Sequence, residues 1–391
     1  MIKHLFKLIW NKKRENFLLI SEILISFLVI FAVFTLMVYN YHNYRQPMGF
    51  TYDDVWMADL GQPMQSKNTD SITQVYANLK NALKGMSKVR EMSYSSGNLP
   101  FSSSTMGTTL NYRNAEVQTD MYRADKDYAK VLQLKMHAGR WFNEQDANPV
   151  YRPVVLNVAA ATQLTGSANA VGKLIKFDDK LVRVVGVADN FKDKGDFKPA
   201  TPGMYTLIDT SSIRGVNTLI IKVAPGADAR FENEMYHLIA NTTRAANLEV
   251  AHLPEMRLKK NKETIVPMII LLIISGFLIF NVALGLFGVL WYNISKRKGE
   301  IGLRRAVGAS ASGVSRALLG EALVLATFSL IIGSFFAVQF PLLNVFDLPA
   351  AVYLVALLFA VLFIYLLVIV CALYPGKQAA SIHPAVALHE D

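Results

Sequence analysis

The sequence contains a single cysteine, Cys371, among its 391 residues. Because this cysteine lies inside a long apolar run, no disulfide can form within the polar part of the chain, whose stability must come from an ordinary hydrophobic core. The sequence also lacks the G-x-x-x-x-G-K-[ST] pattern that cradles nucleotide phosphates. We therefore do not expect this chain to bind ATP through a P-loop.

Patterns typical of metal sites and hydrolytic nucleophiles are also missing. His137 is isolated, and His237 and His252 are fifteen residues apart, so no metal-ligand spacing is present. The serines at 102–104 lack a G-x-S-x-G context. Asp189, in the stretch VADNFKDKGDF, is interpreted as part of an exposed loop after a strand. We expect no metal site and no enzymatic activity in the chain by itself.

Charge is scarce over four long stretches of a sequence that is 52% hydrophobic. These stretches are residues 17–39, 266–292, 318–340 and 350–373, and each exceeds the roughly 20 residues that a helix needs to cross a bilayer. The expected fold is an α-helical membrane protein with four transmembrane helices. Residues 40–263 form a large α+β extracytoplasmic domain between helices one and two, and residues 341–349 form a short external loop.

Positive charge is concentrated beside the apolar runs and contributes to a net charge of +10. Residues 1–16, a basic amphipathic segment, and residues 293–316 are rich in Lys and Arg, whereas residues 341–349 have neither. The positive-inside rule then places both termini, including the tail at 374–391, in the cytoplasm. Attraction to the membrane surface explains this charge, so we expect no nucleic-acid partner.

The extracytoplasmic part has mixed helical and strand patterns. Apolar spacing predicts helices over residues 71–83, with Ser71 as the cap, and over residues 228–245. Strands are predicted by short apolar, β-branched runs, which occur at residues 154–158, 181–187 and 218–223.

The loop between the second and third apolar runs has the sequence ISKRKGEIGLRRAVGAS. Glu300 is four residues from both Lys296 and Arg304, which favours a helix that continues out of the membrane. Gly308 is suited to a helix C-cap with positive φ. Ser310 or Ser312 can then cap the next helix, so the loop is predicted to form a helix, a sharp turn and another helix.

The same loop resembles the R-x-x-E-I-G-(I/L)-(R/L)-(R/K)-A-(L/V)-G-A-(S/T) signature of MacB/FtsX-type (type VII) ABC transporter permeases. Glu321-Ala322 and the tail YPGKQAASIHPAVALHED are similar to further family motifs, and GRWFNEQD and AVGKLIKFDDKLVRVVGVADNF resemble parts of the MacB-like periplasmic core domain. The layout of one helix, a large external domain and three helices is also that of the family. The resemblance favours a stand-alone permease subunit without a fused ATPase, in the bacterial inner membrane.

This resemblance implies a function as well as a fold. Such a permease couples ATP hydrolysis by a separate cytoplasmic ATPase to a conformational change of its periplasmic domain, which is called mechanotransmission, and so drives export (efflux) or extraction of a substrate. The implied partners are two copies of the ABC ATP-binding subunit, which hold ATP and Mg, and a second permease copy or paralogue. A periplasmic adaptor or outer-membrane channel is a further candidate. The alternative is an FtsX-like transducer that regulates a periplasmic enzyme without transport.

Family motifs and intramembrane composition together nominate the candidate site residues. The expected ATPase-coupling residues are Arg297, Glu300, Gly302, Arg304, Arg305 and Gly308. Small and polar residues within spans favour contacts between helices, and the candidates are Asn281, Gly285, Gly288, Glu321, Ser329 and Gly333. Glu22 is expected to extend toward Lys13 or Arg14 at the membrane edge. The resemblance also implies a two-lobed external domain, with an inserted lobe near residues 99–200.

Overall fold

The computed structural model describes residues 13–61, 68–103, 105–146, 149–209, 212–245 and 247–380. Most of the basic segment predicted for residues 1–16 and of the tail predicted for residues 374–391 lies outside the described residues. The chain forms two compact units. We call Met1–His42 with Ile265–Asp391 the membrane unit, and Asn43–Thr264 the sheet unit.

The helices and strands follow one another in a mixed order. They are α1 (Lys13–Arg45), β1 (Val55–Asp59), α2 (Thr69–Lys84), β2 (Val89–Gly97), β3 (Gly107–Tyr112), β4 (Ala115–Ala124), α3 (Tyr128–Leu132), β5 (Met136–Gly139), β6 (Arg152–Asn157), α4 (Val158–Thr165), β7 (Leu174–Phe177), β8 (Lys180–Ala188), β9 (Gly203–Leu207), β10 (Thr218–Val223), α5 (Ala229–Thr243), β11 (Glu249–His252), α6 (Leu253–Lys296), α7 (Lys298–Ala306), α8 (Ala311–Leu342) and α9 (Ala350–Ala380).

Four of these helices are long and apolar enough to cross a membrane. Their spans are Leu19–Arg45, Leu253–Lys296, Ala311–Leu342 and Ala350–Gln378, which confirms the four predicted spans. The second helix is longer than expected, since α6 begins at Leu253 rather than near residue 266. Its first turns are polar, and Pro267 lies inside it without ending it, so hydropathy located the membrane span but not the start of the helix.

In the membrane unit, α1 packs against α8 through small side chains. Ser329 is buried, and its Oγ donates to the carbonyl of Ile20 at 3.2 Å. A Cβ added at Gly333 would lie 2.8 Å from Cε1 of Phe27, closer than real Cβ contacts. Gly333 and Ser329 thus allow the two helices to approach closely, as small residues do in membrane helix pairs.

The sheet unit contains an 11-stranded sheet that runs through two lobes, which are joined by the pairing of β2 with β4. The first lobe packs α2 and α5 on β1, β2, β10 and β11. The second lobe contains strands β3 to β9 and packs α4 on them. The chain enters the second lobe after β2 and leaves it before β10, yet β2 and β10 pair directly, with Ser95 opposite Thr218. The second lobe is therefore inserted between two neighbouring strands of the first.

An aromatic core occupies the middle of the sheet unit. The rings of Tyr122 and Tyr205 are 5.1 Å apart, and those of Tyr122 and Phe191 are 5.2 Å apart. The hydroxyl of Tyr122 donates to Oδ2 of Asp193 at 2.7 Å. Burial raises the pKa of Asp193 to about 6, although the bond from Tyr122 opposes this rise.

Two local expectations for the sheet unit are wrong. Helix α2 is capped by Asn68, whose Oδ1 accepts from the N–H of Asp70 at 2.9 Å, and not by Ser71. The stretch after β8 is exposed at Asp189, as expected, where the side chain is 46% exposed, but it buries Lys192, Asp193 and Asp196, each of which is at most 5% exposed. Distant parts of the chain satisfy these three charges, and local sequence patterns cannot show such partners.

Candidate coupling site

The segment between α6 and α8 forms a separate short helix. The predicted continuation of the second membrane helix is wrong, because α6 ends at Lys296 and α7 starts at Lys298. The N–H of Arg297 donates to the carbonyl of Ile294 at 3.1 Å, and the N–H of Ile301 donates to that of Arg297 at 2.9 Å. This turn allows Ile294, Ile301 and Val314 to form a small buried cluster, which explains why the helix breaks there.

Arg297 joins this turn to the third membrane helix. Its Nη1 lies 2.8 Å from Oε2 of Glu321 on α8, and its Nε lies 3.0 Å from Oε2 of Glu300 on α7. The same Glu300 accepts from Nη2 of Arg304 at 2.6 Å. The hydrogen bonds that Arg297 donates to Glu300 and the charge of Glu321 raise the pKa of Arg297 further above its ordinary value. Glu321 therefore connects α8 to the α6–α7 turn.

Replacing Arg297 is expected to loosen α7. The Arg297→Gln change removes ion pairs to two carboxylates, and the side chain is only 18% exposed, so we expect a loss of about 1 kcal/mol. Hydrogen exchange of residues 298–306 in the full-length protein should then become about fivefold faster. Arg316→Gln removes the same charge from an exposed position of α8 and should leave the exchange unchanged. Equal exchange in both variants would contradict the anchoring role of Arg297.

The end of α7 matches the expected capping pattern. Gly308 has φ +101°, a conformation that glycine adopts without strain. The Oγ of Ser310 then accepts from the N–H of Gly313 at 3.1 Å and caps α8. Gly302 is buried on the inner side of α7, and the side chain of Arg305 lies outside the described part of the chain.

Sequence reasoning missed an exposed apolar pair at the end of α7. Leu303 is 55% exposed and Val307 is 82% exposed. The N–H of Val307 donates to the carbonyl of Leu303 at 3.0 Å, so the helical spacing continues one residue past α7 and the two residues share one face. Arg304, whose side chain is 54% exposed, lies beside them. The i,i+4 spacing of Leu303 and Val307 is visible in the sequence, but the charged residues around it are typical of a solvated helix face.

The interhelix candidates on α6 separate into two kinds. A Cβ added at Gly285 would lie 2.7 Å from Cδ of Glu22 on α1, so these two helices touch there. Glu22 thus faces Gly285, which differs from the expected extension toward the membrane edge. By contrast, a Cβ at Gly288 would meet no atom within 4 Å, and the exposed Asn281 amide donates to Phe277 of its own helix.

The described residues contain no group of three or more His, Cys, Asp or Glu side chains that could hold a metal ion. His137 lies 3.5 Å from Asp189 in an exposed pair. His252 lies 3.1 Å from Glu232 and stacks on Trp56. These contacts account for both histidines as packing and surface groups.

Comparison with known proteins places this arrangement in a family. The model of the MacB-like periplasmic core domain matches residues 17–235, more than half of the chain, and that of the FtsX-like permease C-terminal matches residues 272–384. The Macrolide export ATP-binding/permease protein MacB of Neisseria gonorrhoeae is 25% identical over 324 residues, 78% of this chain and 48% of that protein. The uncharacterized ABC transporter permease YvrN of Bacillus subtilis is 24% identical over 290 residues, 68% of this chain and 69% of that protein.

This chain spans about half the length of the MacB proteins that it matches. Among solved structures, the periplasmic region of MacB from Actinobacillus actinomycetemcomitans aligns with 53% of this chain and 92% of its own, at 16% identity and a TM-score of 0.39. The two family models together match α1, most of the sheet unit and the later membrane helices from residue 272 on, and the second includes the 294–310 loop. The chain therefore belongs to the MacB/FtsX-type ABC transporter permeases.

Proposed function

We propose that this multi-pass membrane protein is the permease subunit of an ABC exporter, driven by a separate cytoplasmic ATPase that docks on α7. In this proposal both termini and α7 face the cytoplasm, and the sheet unit works outside the inner membrane. The observation that carries it is the exposed pair Leu303 and Val307 at the end of a helix anchored by Arg297. The ATPase, and not this chain, would hold ATP and Mg.

The exposed face of α7 has the composition of a protein contact. Arginine is enriched at protein interfaces, and a partner that covered Leu303 and Val307 would remove their apolar surface from water, which is favourable. Arg304 is exposed enough to meet an acidic patch on the ATPase, which would orient the encounter. We therefore assign docking to Leu303, Arg304 and Val307, with Arg305 as a further candidate.

The remaining predicted coupling residues shape and hold α7. Arg297 and Glu300 tie it to α8, and Gly302 is buried on the side away from the exposed pair. Gly308 ends the helix with its positive φ. Because the turn at Arg297 joins α6 and α8, a force on α7 would reach both membrane helices. In mechanotransmission, that force changes the conformation of the sheet unit.

Export is favoured over pure regulation because the chain matches MacB proteins, whose name specifies export, over most of its length. We also propose a second permease copy or paralogue beside the middle of α6. Support comes from the low burial of this helix: only 6% of the apolar stretch of α6 is buried within the chain, against 22–39% in the other three spans.

Changing the exposed pair tests the docking site. We expect the double variant Leu303→Ser with Val307→Ser to reduce the ABC ATPase that co-purifies with the full-length protein at least tenfold, measured by mass spectrometry of the detergent extract. The amount of variant in the membrane should not change, since both side chains are exposed. Val150→Ser, at a position that is 93% exposed in the sheet unit, is the matched control.

Two outcomes would count against the proposal. Recovery of the ATPase by the double variant at the wild-type level would overturn the docking site. Failure of the unmodified protein to recover any ABC ATPase would overturn the proposed function itself.

A further inference from the structure

The sheet unit contains a polar segment with buried charges that takes no part in the proposed docking site on α7. Residues Phe191–Phe197, which we call the joint segment, follow β8 and contain four charged side chains. Lys192 is 3% exposed, and Asp193 and Asp196 are each 5% exposed. Burying a charge is costly unless other groups pair with it, so the partners of these residues show what the segment holds in place.

Lys192 binds the end of α1. Its Nζ donates to the carbonyls of Asn43 at 2.7 Å, Gln46 at 3.2 Å and Asp196 at 2.8 Å. A cation is favourable where the last carbonyls of a helix lack partners. In the other direction, Nδ2 of Asn43 donates to the carbonyl of Phe197 at 3.0 Å. The joint segment therefore binds the last turn of α1 at two points, through Lys192 near the start of the segment and through Phe197 at its end.

Asp196 binds the beginning of α6. Arg257 donates to both of its carboxylate oxygens, from Nε at 2.9 Å and from Nη2 at 2.8 Å. Asn261, one turn further along α6, donates to Oδ2 at 2.8 Å and accepts from the N–H of Asp196 at 2.9 Å. Two-pronged arginine–carboxylate pairs fix orientation as well as distance. Gly195 permits this fit, since its φ is +95° and a Cβ there would lie 2.8 Å from Oδ1 of Asn261.

The two central charges of the segment bind the sheet instead. Asp193 accepts from the hydroxyl of Tyr122, and Nζ of Lys194 lies 2.5 Å from Oδ2 of Asp120. Both partners belong to β4. Lys194 and Asp120 also line a polar cavity of about 410 Å³, together with threonines of β3 and β4 and Thr201. The sheet side of the segment thus forms part of a cavity wall.

We propose that the joint segment is the mechanical connection between the two helix ends and β4, with Lys192 and Asp196 as its positioning residues. Displacement of the last turn of α1 or the first turns of α6 would move Asp193 and Lys194, and with them the wall of the polar cavity. The direction of force rests on the proposed function, but the connection itself does not. If its polar contacts only fill space, removing one of them will not change the distance between the helix ends and β4.

The connection can be measured in the full-length protein without any ATPase. In a Cys371→Ala background, spin labels at exposed positions 258 on α6 and 116 on β4 report the distance from helix end to sheet. We expect Asp196→Ala to broaden this distance distribution at least twofold. Labels at 116 and 234 report the fold of the sheet unit and should show no change.

Asp146→Ala is the matched control. Asp146 is 6% exposed and also accepts a two-pronged pair, from Arg140 at 2.7 and 2.9 Å. Its other hydrogen bond comes from the N–H of Asn143, and neither partner lies on α1 or α6. Lys192→Met tests the α1 side and serves if Asp196→Ala does not fold. Distributions in Asp196→Ala and Lys192→Met as narrow as in Asp146→Ala would overturn the proposal.

A second measurement separates this inference from the proposed function. In complexes with the co-purified ATPase, the joint variants should still hydrolyse ATP but lose any ATP-dependent change between labels at 109 and 201 in the cavity wall. If the unmodified protein shows no ATP-dependent change while the broadening above is seen, the joint is supported and the proposed function is contradicted. If the joint variants keep the ATP-dependent change, the joint does not transmit the motion.

Discussion

Gly285→Val is expected to prevent stable packing of the membrane unit. A Cβ at this position would already overlap the carboxyl group of Glu22, whose Oε2 is buried with no hydrogen-bond partner among the described residues. Overpacked contacts in well-packed interiors cost about 1–3 kcal/mol, and more where neighbours cannot move. We expect a cost of about 3 kcal/mol or more, seen as loss of monodisperse protein in size-exclusion chromatography.

The same helix provides a control for this change. Gly288→Val alters helix propensity equally, yet its Cβ would meet no atom within 4 Å, so this variant should remain monodisperse. Adding Glu22→Ala to Gly285→Val removes the overlapping group and should restore much of the lost protein. A double variant that is as unstable as Gly285→Val alone would show that Glu22 is not the obstacle.

Asp193→Asn is expected to stabilise the sheet unit at neutral pH. Burial raises the pKa of Asp193 from 3.8 to about 6, so the folded state binds its proton more tightly than the unfolded state. The resulting stability is fully present below about pH 4 and is lost as pH rises through 6, a difference of up to about 3 kcal/mol. Asparagine has no such proton and still offers an oxygen to Tyr122. The stability of the variant should therefore not fall as pH rises from 4 through 6.

Urea unfolding of the full-length protein, followed by tryptophan fluorescence between pH 4 and 7.5, measures this slope. Asp146→Asn should instead lower the stability at neutral pH, because the hydrogen bonds from Arg140 lower the pKa of Asp146. Its charge stabilises the folded state above the unfolded pKa, and that stability is lost only as pH falls. If Asp193→Asn keeps the wild-type slope between pH 4 and 6.5, the pH dependence arises from other groups.

The sequence was sufficient for the features that depend on local patterns. Long apolar runs predicted four membrane helices, and Gly308 predicted the end of α7 through its need for positive φ. The strand predicted at residues 181–187 is β8, and that at 218–223 is β10. In each case the determining interaction lies within a few residues of the chain.

The features that sequence reasoning missed depend on distant partners. Lys192 is joined to Asn43 across 149 residues, and Asp196 to Arg257 across 61 residues, so a stretch that looked like an exposed loop is buried. Arg297, named from the family signature as a coupling residue, pairs with Glu321, 24 residues away on α8. Its neighbours Leu303 and Val307 are left at the surface, an arrangement that charge patterns cannot show.

The direct pairing of β2 with β10 has a consequence for the order of folding. Ser95 and Thr218 meet across about 120 residues, and closing a flexible loop of that length costs about 4 kcal/mol of chain entropy. The intervening strands have their own buried core with α4, so that core can form first and shorten the loop still to be closed. Each halving of the loop recovers about 0.6 kcal/mol. The inserted lobe would then be the early-folding part of the sheet unit, and the zipping of β10 onto β2 a late event.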